Sequence, residues 1–544
     1  MKKINIVALA VTFIILMSCF IGGSSALATD YEVDPPVTQE GQLQDQLLQD
    51  VEEDQSQEEP EGSLEGGQSQ EDPEGEVEAG QPQEGPEEGQ SPEGQEGVEE
   101  NPTEGQLQSD PEADSLEGLE VEELPGVPQL FAINYNVVGF RPDNPVTTQS
   151  QWNTALNHYN QQWTPAQGEV YIYIQSFTLS SGITAFQADK NYYFASAYEG
   201  YKQQIRANGN FRHFAFPAAY GTNREIVFKD ILLIGPDEGP SGDRRPGGGI
   251  YIGGNASNLP TPGTVTISGR GNHGLTIEQC ARVGQGEEIR GGALASKSPL
   301  ILDGTITLHN NIADDTGVDH IAKGGGLYCE ADRLTVRAGA DITVSKNETD
   351  DWAGGIYYTY GVNRGQYMKG LFTVEEGATV RAIENKSEKG AGIVLESANC
   401  ILNGTIIAES NECFGEAGGG GFYMINSTVA VTQDYDKILT FDIGRNGMLA
   451  ARNNTVIRGG GAGVVLFRVD CTIKGRMELT GNISQNGYGA GLYEEHVSNI
   501  YVESTGSLIA TGNKSDLVAG GLSLYQGTTF QVDGTAEITN NETN

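Results

Sequence analysis

From about residue 246 onward, apolar positions come in short alternating runs that break at Gly, Asp or Asn every five to eight residues or so. The interval after Leu327 shows the pattern: Leu334-Thr335-Val336, a turn at Gly339, Ile342-Thr343-Val344, then Asn347. No stretch there holds an apolar period of about 3.6 over about ten residues, which a helix would need. Each interval therefore reads as three short strands and three turns. The intervals are marked by two small residues, nearly always glycine, followed by an aliphatic or aromatic one. Examples are Gly291-Gly292-Ala293-Leu294, Gly325-Gly326-Leu327, Gly354-Gly355-Ile356, Gly390-Ala391-Gly392-Ile393 and Gly520-Gly521-Leu522. The marks lie about 28 to about 44 residues apart. Such a repeat predicts an all-β solenoid, a right-handed parallel β-helix in which each coil pairs with the coils above and below.

Two further marks fit the stacking. Asparagine closes the third strand of almost every interval: Asn310 and Asn311, Asn347, Asn385, Asn411, Asn453 and Asn454, Asn482, Asn513, Asn540 and Asn541. Amides at one turn of successive coils, about 4.8 Å apart, are placed to hydrogen-bond to their copies. Asn385-Lys386-Ser387 and Asn403-Gly404-Thr405 also fit a glycosylation acceptor, but a repeating turn favours the amide ladder for both. Cys400 and Cys471 lie seven residues after Ile393 and Val464, a place that Leu334, Val429 and Thr529 hold in other coils. Two coils of rise, about 9.6 Å, exceed the disulfide limit of about 7 Å, which predicts inward free thiols.

One segment breaks the strand pattern. In 149–163, Trp152, Leu156, Tyr159 and Trp163 recur at spacings of four, three and four, with Thr148 or Ser150 as N-cap, and predict an amphipathic helix. A helix there would cover the open edge of the first coil. The strands following it are expected around Val170–Ile174, Tyr192–Phe194 and Ile226–Ile234. Beyond Asn541 neither a closing helix nor a sorting motif follows, so the chain is expected to be cut short at Asn544.

Charge divides the chain. The net charge is −43, yet no Lys or Arg lies between Lys3 and Arg141, while about 33 of the 75 acidic residues do. Residues 29–127 are Glu, Gln, Gly, Pro and Ser in short phrases and hold too little apolar surface to offset about 1–2 kcal/mol of ordering per residue. They are expected to be a disordered acidic spacer. Residues 1–28 read as an export signal, with Lys2 and Lys3, an apolar run from Ile4, and Ala26-Leu27-Ala28 as the cleavage pattern; a retained anchor, or acylation at Cys19, is the rival reading. Residues 128–245 are then the cap and first coils, and 246–544 the glycine-marked repeats. No later segment is apolar enough to span a membrane. With no run of basic residues, a basic patch and a nucleic-acid partner are not expected.

Gly291-Gly292-Ala293-Leu294 resembles the G-G-A-[ILV] element of the chlamydial polymorphic outer-membrane proteins. Ile383-Glu384-Asn385 resembles a degenerate form of their F-x-x-N element. More broadly, residues from about 130 onward are similar to pectate-lyase-like β-helix surface proteins. The resemblance implies surface display, and adhesion or carbohydrate contact. No C-terminal autotransporter barrel follows the repeats, so the polymorphic family's export route is not supported.

Candidate chemistry is sparse. Asp314-Asp315, Asp350-Asp351 and Arg337 are the acids and base that a polysaccharide lyase or hydrolase would need, but each acid pair falls in a turn where Asp is favoured for its own sake. His158, His213, His273, His309, His320 and His496 share no spacing, and the five cysteines beyond Cys19 lack metal-ligand spacing. Tyr357, Tyr358, Tyr360 and Tyr367, near Trp352, form an aromatic cluster that is read as packing rather than as a ligand platform. The expectation is a secreted or cell-surface structural and adhesive protein. It would have no catalytic, metal or cofactor site, and a polysaccharide or cell-surface partner; a lyase or hydrolase acting on acidic polysaccharide is the alternative.

Overall fold

The computed structural model describes residues 133–544 apart from 220, 237–247, 254–262, 285–289, 317–321, 361–368, 417, 428–437 and 497. The expected signal (1–28), Cys19 and the acidic spacer (29–127) lie outside the described residues, as do His320, Tyr367 and Val429. The chain is a parallel β-helix preceded by one α-helix, α1 (Gln149–Gln162).

From Leu327 onward each coil has four strands rather than three. In one coil the anchor Gly390-Ala391-Gly392 leads into Ile393–Glu396, followed by Ala398–Leu402, Thr405–Glu409 and the two-residue strand Glu412–Cys413. The first strands of successive coils make a ten-stranded sheet, here sheet 1, from Phe214–Phe216 to Leu522–Leu524. The second and third strands form two parallel ladders, continuous in the early coils through the bent strands Arg224–Ile234, Val265–Glu278 and Leu300–His309. The short fourth strands make a nine-stranded sheet. Seven of the nine have two residues, too few to leave an alternating pattern, which hides this strand from sequence.

The turn before the fourth strand shows why asparagine recurs. One residue there takes the left-handed conformation, as in Asn310 (φ 57°), Lys346 (53°), Glu384 (53°), Ser410 (55°) and Asn453 (53°). That kink turns the next side chain inward, and it is a fully buried Asn: Asn311, Asn347, Asn385, Asn411, Asn454, Asn482 and Asn513. The backbone N–H of Asn385 and its Nδ2 both donate to Oδ1 of Asn411 at 3.0 Å, and Nδ2 also donates to the Val344 carbonyl at 2.9 Å. The same bonds link every neighbour from Asn311 to Asn541. The expected ladder is therefore present, with Asn310, Asn453 and Asn540 supplying the kink instead of the amide. Cys280 occupies the first ladder place, its N–H donating to Asn311 Oδ1 at 3.0 Å.

The glycine anchor answers to the ladder. A Cβ built on Gly355 would lie 2.2 Å from the Gly392 carbonyl oxygen and 3.1 Å from Asn385 Nδ2. The acceptor-like Asn-x-Ser/Thr triplets follow from the same turn, because the residue two places after the Asn faces inward on the fourth strand, as buried Ser387, Ser484 and Ser515 do. Asn403 corrects the reading above: it is exposed on a different turn and has no part in the ladder.

Inside the coils, Cys400 pairs in register with Phe441, and Phe441 with Cys471, so the two thiols stand two coils apart as expected. Among the described residues all five cysteines are buried and free. Phe441, not Val429, fills the intervening place because the strand that follows Phe422–Ile425 begins only at Leu439. Phe530, not Thr529, fills it in the last coil, since Thr529 pairs with Asn499. Helix α1 is N-capped by Thr148, whose side chain accepts from the Gln151 N–H. It lays the fully buried Trp152 over Phe194, Phe214 and Phe177, at ring-centroid distances of 5.2, 5.3 and 6.1 Å.

Candidate functional site

The outer face of sheet 1 differs from the rest of the surface. Its central column runs in register through Ala215, Tyr251, Ala295, Tyr328, Tyr357, Val394, Tyr423, Val465 and Tyr493. Beside it runs a second column, one residue from each coil where the anchor begins: Arg290, Lys323, Trp352 and Lys389, joined by successive parallel bridges. The second column leans over the first. Arg290 lies 5.0 Å from the Tyr328 ring, Lys323 5.0 Å from Tyr357, and Lys389 5.6 Å from Trp352, which in turn stacks on Tyr423 at 5.8 Å. Tyr328 and Tyr357 stack at 5.7 Å with their planes 5° apart. These outward rings are buried by cations, and each such contact contributes about 0.5–2 kcal/mol.

Toward the helix end of the column the covering thins. Ala215 and Ala295 alternate with Tyr251 and Tyr328, and the two small residues leave a cavity of about 490 Å³ lined by Arg212, Arg282, Arg290, Lys297, Tyr251 and Tyr328. Arg290 is tied to Glu330, which also accepts from the Tyr328 hydroxyl at 3.0 Å. Contrary to the expectation of no basic patch, drawn from the lack of a basic run, the structure assembles one from side chains up to about 85 residues apart, brought together by coil stacking. The second column, unlike the cavity, is marked in the sequence, since Arg290, Lys323, Trp352 and Lys389 each stand four residues before the first residue of a sheet 1 strand.

The acidic candidates sit elsewhere. Asp350 Oδ2 accepts from the Asp315 N–H at 3.0 Å, so the two pairs occupy adjacent coils at one edge. Asp351 is buried and pairs with Lys389 at 3.0 Å; burial, opposed by Lys389 and Lys323, pushes its carboxyl up to about 6. Arg337 lies in another turn, paired with Asp303 at 3.3 Å, and does not join them. Among the described residues no His, Cys, Asp or Glu group is arranged to hold a metal. His213 is fully buried, its Nδ1 accepting from the Gly249 N–H at 2.8 Å and its Nε2 3.0 Å from the Ile234 carbonyl, a structural role. Of the aromatic cluster, Tyr358 points inward and bonds the backbone of Leu371, whereas Tyr357 belongs to the outer column. Among the described residues no helix is long and apolar enough to cross a membrane.

No family model, curated protein or solved structure matches the chain. The likeness to the polymorphic outer-membrane proteins and the pectate-lyase-like group thus rests on the repeat motifs and the parallel β-helix that they form.

Proposed function

We propose that the chain is an exported protein, secreted or held at the cell surface, whose β-helix serves as a rigid scaffold for contact with carbohydrate on the outer face of sheet 1. One observation carries this reading: the cavity that sets cations and tyrosine rings side by side on a face otherwise closed by its own side chains. Aromatic faces stack on sugar rings, and guanidinium groups donate to their oxygens.

Applied to a glycan array, the full-length protein is expected to show saturable binding, lost when Tyr251→Ala and Tyr328→Ala are combined. An array with no saturable signal would remove the carbohydrate reading. Release of unsaturated products from pectin or alginate in the presence of calcium would replace it with a lyase. Export is tested by fractionation, with a mature N-terminus at Thr29 as the expected result.

A further inference from the structure

Among the described residues that line it, the cavity on sheet 1 has a charge balance opposite to that of the chain, whose net charge is −43. Four cations line it: Arg212, Arg282, Arg290 and Lys297. Among the described residues one carboxylate is paired with them, Glu330, which holds Arg290 and lies 3.9 Å from Lys297. Arg212 donates to the backbone carbonyls of Arg290 and Gly292 at 2.7 and 3.0 Å. Those carbonyls fix its guanidinium without neutralising it. Neither Arg212 nor Arg282 has a carboxylate partner among the described residues. Burial, and then the neighbouring Arg282, lower Arg212 from its ordinary 12.5 to about 10. Arg212 and Arg282, both half-buried, line the same cavity, and keeping them charged there has a cost that an anion joining them would offset.

The shape of the cavity selects among anions. Tyr251 and Tyr328 stand two coils apart with Ala295 between them, about 9.6 Å by coil rise. The absent side chain at Ala295 opens a step between two aromatic borders, and Arg290 leans into one side of it over Tyr328. A small inorganic anion would touch the guanidiniums and leave the tyrosines unused. A ring that carries an oxyanion would use both.

We propose that this cavity is an acidic-sugar site, in which Arg212 and Arg282 receive a carboxylate or sulfate while the sugar ring lies against Tyr251 and Tyr328. The planar fork of a guanidinium matches both oxyanions in two-point geometry. The inference rests on the carbohydrate reading above and adds the charge of the ligand.

The test is calorimetric titration of the full-length protein with three probes of equal length: hexagalacturonate, a sulfated heparin-type hexasaccharide and neutral cellohexaose. At least one charged probe is expected to bind about tenfold more tightly than the neutral one, and its affinity to fall with added salt. The two charged arms tell carboxylate from sulfate. Arg282→Gln is expected to lose about tenfold in affinity with an unchanged thermal midpoint, while Lys514→Gln, far along the helix, loses nothing. Equal binding of all three probes, with no effect of Arg282→Gln, overturns the acidic-sugar site and leaves the carbohydrate reading standing. Binding of none removes both. A peptide of residues 84–97, binding as tightly as the best sugar and losing as much in Arg282→Gln, overturns the sugar assignment in favour of the chain's own acidic segment.

Discussion

Two columns of side chains run along the coils, and they are built by opposite rules. The inner one is asparagine at every coil from Asn311 to Asn541, each amide fully committed to the next. The outer one, on sheet 1, passes through Ala, Tyr, Val and Ser without a fixed order, from Ala215 to Ser523. The inner column sits where the backbone leaves one strand for another and buried N–H and C=O groups need partners, so one residue type meets the demand each time. The outer column must only cover the sheet, and a tyrosine under a lysine covers it as well as a valine does. Identity that persists from coil to coil marks the scaffold. Identity that varies marks where the surface was free to acquire chemistry, and the cavity over Ala295 lies in that column.

The comparison breaks first if the amides prove dispensable. Asn411→Ala leaves the two Asn385 donors and the Ala382 carbonyl without their partner, at about 1–3 kcal/mol for each unsatisfied group. A loss on the order of 4 kcal/mol in denaturant unfolding is expected. The outer column should be more tolerant: Val394→Ala is expected to cost about 2 kcal/mol in the same assay. A larger loss for Val394→Ala than for Asn411→Ala would invert the rule.

Asp351, at the edge of the outer face, gives a smaller effect with a sign. Its carboxyl is raised from 3.8 to about 6 in the fold, so the folded state favours the protonated form. Its contribution is complete below 3.8 and is lost as pH rises through about 6. Asp351→Asn should flatten the fall, so the difference between wild-type and variant unfolding midpoints should shift over that window. Parallel midpoint curves would show that Lys389 already offsets the burial. The smallest effect is expected at the thiols. Burial raises Cys280 and Cys413 to about 12 and Cys329, Cys400 and Cys471 further still, so the native protein should not react with a thiol reagent at neutral pH, and reductant should leave its unfolding midpoint unchanged.

The sequence made the coils legible because their marks are local. A glycine that backs onto an amide, a single left-handed residue before Asn and an alternating strand all lie within a few positions of each other. The thiol frame was legible for Cys400 and Cys471 and failed at Val429, since counting from an anchor presumes a turn of constant length. The cavity is not legible in the sequence because Arg212, Arg282, Arg290 and Lys297 share no local motif and are brought together only by the register of the coils. Tyr357 and Tyr358 show the same limit: adjacent in sequence, they point to opposite sides of one strand.

The amide ladder has a consequence for how such a molecule changes. Anchors about 28 and about 44 residues apart share one unbroken row of asparagines. A coil can therefore lengthen or shorten by many residues as long as it returns an asparagine to that row, and the hydrogen-bond pattern of its neighbours stays as it was.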